Sequence, residues 1–279
     1  MARRLAVLAL AVVLAFILAA AMPAAPAPAP AARPGWNLVW ADEFDATGLP
    51  DPAKWSYEEG FVRNKESQFY TRARKENARV EGGMLILEGR KEKFARPGGK
   101  DGEFVDYTSA SLITRNKADW KFGRIEARAK LPQGLGVWPA FWMLGSTPHV
   151  GWPACGEIDI MEFVGHTPDR VHATLHWGAG GKHASNGGKL AVERPWDGFH
   201  VYAVEWTADR MDFYYDDTKY FSFDVSKADG NGDNCFRKPH YIKLNLALGG
   251  DWGGKIDDSA LPQKYVIDYV RVYQRPEPR

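Results

Sequence analysis

The sequence contains little cysteine, and the cysteine it has does not form a metal-binding pattern. Only Cys155 and Cys235 occur in 279 residues, and neither has another cysteine close by. The seven histidines are not placed at ligand spacing around them. A zinc site built from closely spaced cysteines and histidines is therefore excluded.

An excess of charge of one sign is also missing. The 36 lysines and arginines nearly balance the 35 aspartates and glutamates, and the charges are spread along the chain rather than grouped in blocks. A protein that binds nucleic acid would present a clustered basic face. We therefore expect no nucleic-acid partner.

Long apolar runs are confined to the N-terminus. Two arginines precede an uncharged apolar run from Leu5 to Ala21, which is the order found in a secretory signal peptide. We predict a signal peptide over residues 1–25, with an uncleaved membrane anchor as the alternative. Residues 26–35 are predicted to be a Pro/Ala-rich spacer, and residues 36–279 to be one domain. The protein is then secreted, to the exterior or the periplasm, with no stable membrane association after cleavage.

Export bears on the two cysteines. An oxidising compartment permits a disulfide between Cys155 and Cys235. Two buried free thiols would look the same in the sequence. Both alternatives therefore stay open.

Helical periodicity beyond two turns is absent after the apolar run. Short segments of alternating apolar and polar residues recur instead, for example at 200–206, 210–215 and 266–273. Such segments are typical of an antiparallel sandwich or barrel, so we predict an all-β domain. The chain also has 11 Trp, 11 Tyr and 14 Phe. These flat side chains suit sugar rings, although a large β core uses them equally.

One predicted strand carries three carboxylates, those of Glu157, Asp159 and Glu162. In a regular strand Glu157 and Asp159 share one face, whereas Glu162 would point to the opposite face and into the core. An unpaired carboxylate there is very costly. We therefore predict a β-bulge near Ile160 or Met161 that returns Glu162 to the face of the other two. The alternative is an exposed edge strand with a solvated acidic face.

Three carboxylates on one face suit acid and base chemistry. Their mutual repulsion raises at least one pKa, so that one group stays protonated while another is ionised. Two other hydrolase classes fit poorly, because the Asp-Thr/Ser-Gly turns of aspartic proteases are absent and metal hydrolases would want His among their ligands. Glycoside hydrolysis needs such a carboxylate pair. The neighbouring residues predict that the strand faces an aromatic-lined groove: Trp138, Trp142, Trp152, His172 and His176.

The segment Glu157-Ile-Asp-Ile-Met-Glu162 resembles the E-x-D-x-x-E signature of glycoside hydrolase family 16, in the bulged form typical of laminarinases. The resemblance extends from about Leu38 to Gln274 and includes Gly136-Val-Trp-Pro-Ala-Phe-Trp142. It implies a β-jelly-roll sandwich of two curved antiparallel sheets with an open concave substrate cleft. It also implies a retaining mechanism, in which Glu157 is the nucleophile, Glu162 is the general acid/base and Asp159 hydrogen-bonds the nucleophile.

Further site residues are implied by the same resemblance. The residues that would bind substrate are two stacking tryptophans, a histidine beside the acid/base and three polar neighbours: Trp138, Trp142, His176, Asn64, Glu66 and Arg115. For Trp152 and Trp252, sugar binding and core packing stay equally open. No cofactor is expected for catalysis, but a structural Ca²⁺ ion is implied on the convex side at Glu43, Gly83 and Asp268.

The expected function is an endo-1,3-β-glucanase that acts as a monomer on laminarin-type polysaccharide. Alternatives of the same fold are a mixed-linkage glucanase (lichenase), a galactan hydrolase such as an agarase or carrageenase, and a transglycosylase with the same catalytic residues. Sulfated galactans would favour extra basic residues in the cleft, and the charge balance shows no such excess. A non-enzymatic β-glucan-binding protein would lack the catalytic carboxylates. We expect no separate carbohydrate-binding module, because the chain ends just after the last strand.

Overall fold

The computed structural model describes residues 33–100, 102–230 and 233–276. The predicted signal peptide and most of the predicted spacer lie outside these ranges and stay predictions. Within the described ranges, no helix is long and apolar enough to cross a membrane.

The described residues form 17 strands and four short helical turns. The helical turns are α1 (Gly250–Gly253) and three 3-10 turns at Val225–Ala228, Cys235–Arg237 and Asp258–Ala260. The strands, in chain order, are β1 (Asn37–Asp42), β2 (Ser56–Glu58), β3 (Phe69–Tyr70), β4 (Ala78–Glu81), β5 (Met84–Ala95), β6 (Phe104–Ser109), β7 (Ser111–Ile113), β8 (Gly123–Lys130), β9 (Val137–Gly145), β10 (Glu157–Glu162), β11 (Arg170–Ala179), β12 (Lys182–Ala191), β13 (His200–Trp206), β14 (Arg210–Tyr215), β15 (Thr218–Asp224), β16 (His240–Leu248) and β17 (Gln263–Gln274).

These strands build two sheets. One has ten strands, in the order β15-β14-β13-β8-β17-β5-β6-β3, with β1 paired to β17 and β4 to β5. The other has seven, in the order β12-β11-β10-β9-β16-β7-β2. Every pairing is antiparallel except that of β3 with β6. The predictions of an all-β chain and of a β-jelly-roll sandwich are confirmed.

Alternation along the strands of the seven-stranded sheet separates the core from an open face. In β9, Val137, Phe141 and Met143 are buried in the core between the sheets. The residues between them, Trp138 and Trp142, face the other way into a surface cleft. The same period of two runs through β16 and β11. The central strands of this sheet therefore carry one apolar face and one functional face.

The two cysteines lie where β10 begins. Both thiols are free and buried. Gly156, with φ +84, packs so closely that a Cβ on it would lie 2.9 Å from Sγ of Cys235. A side chain at this position would be blocked both by the backbone conformation and by the thiol. The structure therefore has two buried free thiols rather than a disulfide between Cys155 and Cys235.

Candidate active site

The carboxylate strand is bulged. Glu157 lies opposite His176 of β11 and Asp159 opposite Thr174, after which the register shifts and Glu162 lies opposite His172. The pairing with β9 shifts in the same place. Ile160 and Met161, which lie at the shift, are both fully buried in the core. The predicted bulge is confirmed, and it puts all three carboxylates on the open face.

The alternative of an exposed edge strand is wrong. β10 lies between β9 and β11 in the middle of the seven-stranded sheet. Asp159 is only 3% exposed, and Glu157 and Glu162 are half-buried. Carboxylates in such a position are shielded from bulk water, so their protonation can be tuned by neighbours.

Glu162 has one direct hydrogen-bond donor at the cleft. The indole Nε1 of Trp138 donates to its Oε1 at 3.0 Å. Burial raises the pKa of Glu162 well above its usual range, the charge of Asp159 adds to this, and the Trp138 hydrogen bond opposes it. A carboxyl with these surroundings holds its proton to a higher pH than an exposed glutamate does, which suits a general acid.

Glu157 and Asp159 share a histidine. Nε2 of His176 lies 3.3 Å from Oδ2 of Asp159 and 3.9 Å from Oε1 of Glu157. Burial raises the pKa of Asp159 well above its usual range, and the neighbouring charge of Glu157 adds to it. Burial also raises the pKa of Glu157, but the charges of His176 and Lys243 oppose that effect. Of the pair, Asp159 therefore holds its proton more strongly than Glu157 does.

The three carboxylates lie in one cleft of about 820 Å³, and the predicted groove is confirmed. All six substrate-binding residues predicted from the resemblance line it: Trp138, Trp142, His176, Asn64, Glu66 and Arg115. The structure thus brings these residues together, while their contacts with substrate stay predictions. Trp152 and Trp252, which the sequence left undecided, line the cleft as well.

Glu66 orders one wall of the cleft. Its carboxylate accepts hydrogen bonds from Asn64 at 3.2 Å, Gln68 at 2.7 Å and Tyr70 at 3.0 Å. Asn245 links this group to Trp142. Its amide donates to Tyr70 at 3.1 Å, and its Oδ1 accepts from Nε1 of Trp142 at 2.6 Å. Glu66 therefore holds the wall in place and orients Trp142 through hydrogen bonds that pass by way of Tyr70 and Asn245.

A second ionic cluster was not anticipated from the sequence. Glu58 accepts from Lys243 at 2.8 Å and also pairs with Arg63. The Lys243 ammonium lies 4.0 Å from the centre of the Trp142 ring, and the Arg63 guanidinium lies 5.1 Å from it. Burial and the charge of Arg63 lower the pKa of Lys243 to about 8, against the opposing effect of Glu58. Two cations thus flank one tryptophan at the cleft.

Lys243 could have been found by alternation. The segment Tyr241-Ile-Lys-Leu-Asn245 alternates polar and apolar residues, which predicts Tyr241, Lys243 and Asn245 on one face. All three line the cleft. Glu58 and Arg63 had no such signal, since β2 reaches β16 only through β7.

The residues proposed for calcium lie away from the cleft. Both oxygens of Glu43 accept from Arg271, at 2.8 and 2.7 Å, and Asp268 accepts from Arg128 at 2.6 Å. Carboxylate oxygens are good calcium ligands, but here both carboxylates are held by guanidinium groups. As they lie, these two side chains do not fit a calcium ion. A site at Glu43, Gly83 and Asp268 stays a prediction that requires these pairs with Arg271 and Arg128 to open.

The calcium prediction can be tested by unfolding. If the ion binds, a chelator should lower the melting temperature, and Asp268→Asn should remove that response because a ligand is lost. Thermal unfolding with and without chelator measures both. If the chelator leaves the wild-type melting temperature unchanged, the site is rejected. The role of these two carboxylates would then be to pair with the two arginines.

A jelly roll whose open face carries glutamates on one strand, between tryptophans and histidines, defines a glycoside hydrolase that holds a polysaccharide along a cleft. The chain matches the model of glycosyl hydrolases family 16 over residues 65–271, and it belongs to that family.

Relatives of known activity are similar over most of this chain. A beta-glucanase of Rhodothermus marinus is 47% identical over 254 residues, which cover 86% of this chain and 86% of that protein. The X-ray structure of the laminarinase from Rhodothermus marinus superimposes with a TM-score of 0.78 at 46% identity, covering 87% of this chain and 98% of the other. A non-specific endo-beta-1,3(4)-glucanase of the same family superimposes with a TM-score of 0.79 at 42% identity, covering 88% and 93%.

Proposed function

We propose that this protein is a secreted, retaining endo-1,3-β-glucanase that hydrolyses laminarin-type β-glucan by double displacement. The observation that carries the proposal is the bulge in β10, which places Glu157 and Glu162 on one open face. The relatives described as a beta-glucanase and a laminarinase support the substrate. An open cleft lined by tryptophans suits internal cleavage of a long chain.

The first displacement uses both glutamates. The Glu162 carboxyl gives its proton to the glycosidic oxygen as that bond breaks, while the Glu157 carboxylate forms a bond to the anomeric carbon. The Trp138 indole fixes Oε1 of Glu162 during this transfer. The products are a shortened glucan and a glycosyl ester on Glu157.

The second displacement reverses the roles. Glu162, now ionised, takes a proton from a water molecule, whose oxygen replaces Glu157 at the anomeric carbon. Asp159 and His176 lie beside Glu157, where their polar groups stabilise it as a leaving carboxylate. Two inversions leave the anomeric configuration unchanged.

The main alternative is a mixed-linkage glucanase, which the non-specific endo-beta-1,3(4)-glucanase among the relatives favours. The charge balance of the whole chain gives no argument against a galactan hydrolase, because three basic residues lie in the cleft itself: Arg63, Arg115 and Lys243. The overall balance of the chain missed this local grouping. Glu58 pairs with two of them, which leaves Arg115 as the cation for an anionic sugar among the described cleft residues.

A reducing-end assay on laminarin, mixed-linkage glucan, agarose and carrageenan tests the proposed substrate. We expect laminarin to give a ladder of oligomers with the highest kcat/KM. Highest activity on mixed-linkage glucan or on a galactan would keep the catalytic pair and overturn the substrate. No activity on any of them would favour the alternative that the protein binds β-glucan without cleaving it.

Export is proposed from the N-terminal sequence. We expect mature protein in the medium or the periplasm to begin within or just before the Pro/Ala-rich spacer. N-terminal sequencing of the exported protein checks this. Full-length protein retained in the membrane fraction would support the uncleaved anchor instead.

The buried Asp159 should make stability depend on pH. Because burial raises its pKa in the folded state, its contribution to stability is present at low pH and is lost as the pH rises through the folded value. Asp159→Asn should therefore melt above the wild type at neutral pH, and the difference should shrink on acidification. Thermal unfolding over a pH series measures this, with Asp45→Asn at an exposed position as the control. A variant that melts below the wild type at every pH would contradict the argument.

A further inference from the structure

We propose that Glu157, Asp159 and His176 form a binding site for a borderline divalent cation such as Zn²⁺, and that a cation bound there blocks the cleft. The binding follows from the donor geometry alone, whereas the blocking rests on the proposed role of Glu157 as nucleophile. The cation takes no part in the proposed hydrolysis.

The three donor atoms lie close to one another. One atom from each of the three residues lies within 4.8 Å of the other two. Oδ2 of Asp159 is 3.3 Å and Oε1 of Glu157 is 3.9 Å from Nε2 of His176. Zinc–ligand bonds of about 2.0–2.2 Å in a tetrahedron place ligand atoms about 3.4 Å apart. To bind one ion, the donors would close from separations of up to 4.8 Å to about 3.4 Å.

Asp159 supplies independent support. The residue is 3% exposed, and its Oδ2 makes no hydrogen bond of good geometry to any described residue. Nε2 of His176 lies 3.3 Å from this oxygen. A buried oxygen without a partner is costly, and a cation between Asp159 and His176 would satisfy it.

The second nitrogen of His176 is held in the way that metal-binding histidines require. Its Nδ1 lies 2.8 Å from Nε2 of His183, and the two rings stack with centres 5.1 Å apart. If Nδ1 donates to His183, the lone pair of Nε2 is left to face the carboxylates. Ligating histidines almost always donate their other ring N–H to an acceptor, most often a carboxylate, a backbone carbonyl or water, and here the acceptor would be the imidazole nitrogen of His183.

The donor set indicates the class of metal. One imidazole nitrogen and two carboxylate oxygens suit zinc or copper, whereas calcium takes six to eight oxygens. Three protein ligands would leave the fourth position of a zinc ion open to the cleft. Glu157 supplies one negative charge, and Asp159 supplies a second when the bound ion displaces its proton to water. Lys243, a buried cation of the same cleft, is held by Glu58 at 2.8 Å.

Calorimetric titration of the purified, metal-free protein with Zn²⁺ tests the site. We expect one ion per chain in the wild type and no such binding in His176→Ala. His200→Ala is the matched control, because His200 also pairs with a carboxylate, Asp216 at 2.8 Å, but lies on the ten-stranded sheet. The control should bind as the wild type does. His183→Gln should weaken binding about 10–100-fold, since it removes the outer partner.

Binding that survives in His176→Ala, or no binding in the wild type, would overturn the proposal. Glu157→Gln serves as a second variant if His176→Ala does not fold, and it too should lose the ion. Laminarin hydrolysis should fall with Zn²⁺ occupancy and return on adding chelator. If Zn²⁺ occupies the site and laminarin hydrolysis does not fall, the proposal that the ion blocks the cleft is overturned. The metal-free laminarin assay tests the proposed function separately.

Discussion

Replacing Glu162 by Gln should lower kcat/KM on laminarin by about 10²–10⁴-fold, the usual contribution of a general acid or base. Glutamine has the same shape and keeps an oxygen to accept the hydrogen bond from Trp138, which is 3.0 Å long in the wild type. It has no proton to give to the leaving oxygen. Binding of laminarin oligomers should therefore be retained while cleavage is lost.

The role of Glu162 as an acid, rather than as a structural group, shows in the choice of leaving group. A glucoside whose aryl leaving group departs without protonation should still glycosylate Glu157 in the Glu162→Gln variant, and the missing base should then slow the release of the sugar. A burst of aryl product is the expected signature. Glu193→Gln, at an exposed position, is the matched control and should behave as the wild type. Full activity of Glu162→Gln on laminarin would remove the assignment.

Replacing Glu157 by Gln should cost at least as much, on the order of 10⁴ or more in kcat, because removal of a covalent nucleophile stops the reaction at its first step. The variant should also fail on the activated aryl glucoside, which separates it from Glu162→Gln. No proton donor can replace the missing bond to the anomeric carbon.

Intact-mass measurement distinguishes this role directly. Incubation with an activated 2-deoxy-2-fluoro glucoside, which forms the ester but hydrolyses slowly, should add one glycosyl mass to the wild type and none to Glu157→Gln. An adduct of equal yield in the variant would place the nucleophile elsewhere. Circular dichroism should show the same β-rich fold in both proteins.

The sequence was enough to predict the bulge, although it breaks the regular pattern. Five positions separate Glu157 from Glu162, and strict alternation would have buried Glu162 among core side chains. The cost of a buried, unpaired carboxylate made the bulge the better solution. The fold class followed from period-two patterning, and the structure confirmed it.

Residues that meet through tertiary register could not be predicted in this way. Glu58 lies on β2 and Lys243 on β16, and the two come together because β7 pairs with both. Nothing in either local sequence reports that neighbour. His183 has the same origin, since it approaches His176 diagonally across the β11–β12 hairpin. Local rules place a side chain on a face, whereas the strand order decides which faces are adjacent.

Arginine partners were missed at the proposed calcium residues for the same reason. Glu43 meets Arg271 across the pairing of β1 with β17, and Asp268 meets Arg128 across the pairing of β17 with β8. Matching single positions of this sequence to the family pattern identified the acidic residues, but it did not identify the arginines that lie opposite them. The structure supplies a competing partner for each carboxylate, which is why the metal prediction needs its own test.

The central claim is that Glu157 and Glu162 cleave β-glucan with retention, and proton NMR of the first products tests it most directly. Early in the hydrolysis of laminarin, before mutarotation, the account predicts that new reducing ends appear as the β-anomer. Their later conversion to the equilibrium mixture should follow at the uncatalysed rate. New reducing ends that appear first as the α-anomer would contradict the double displacement and the role of Glu157 as nucleophile.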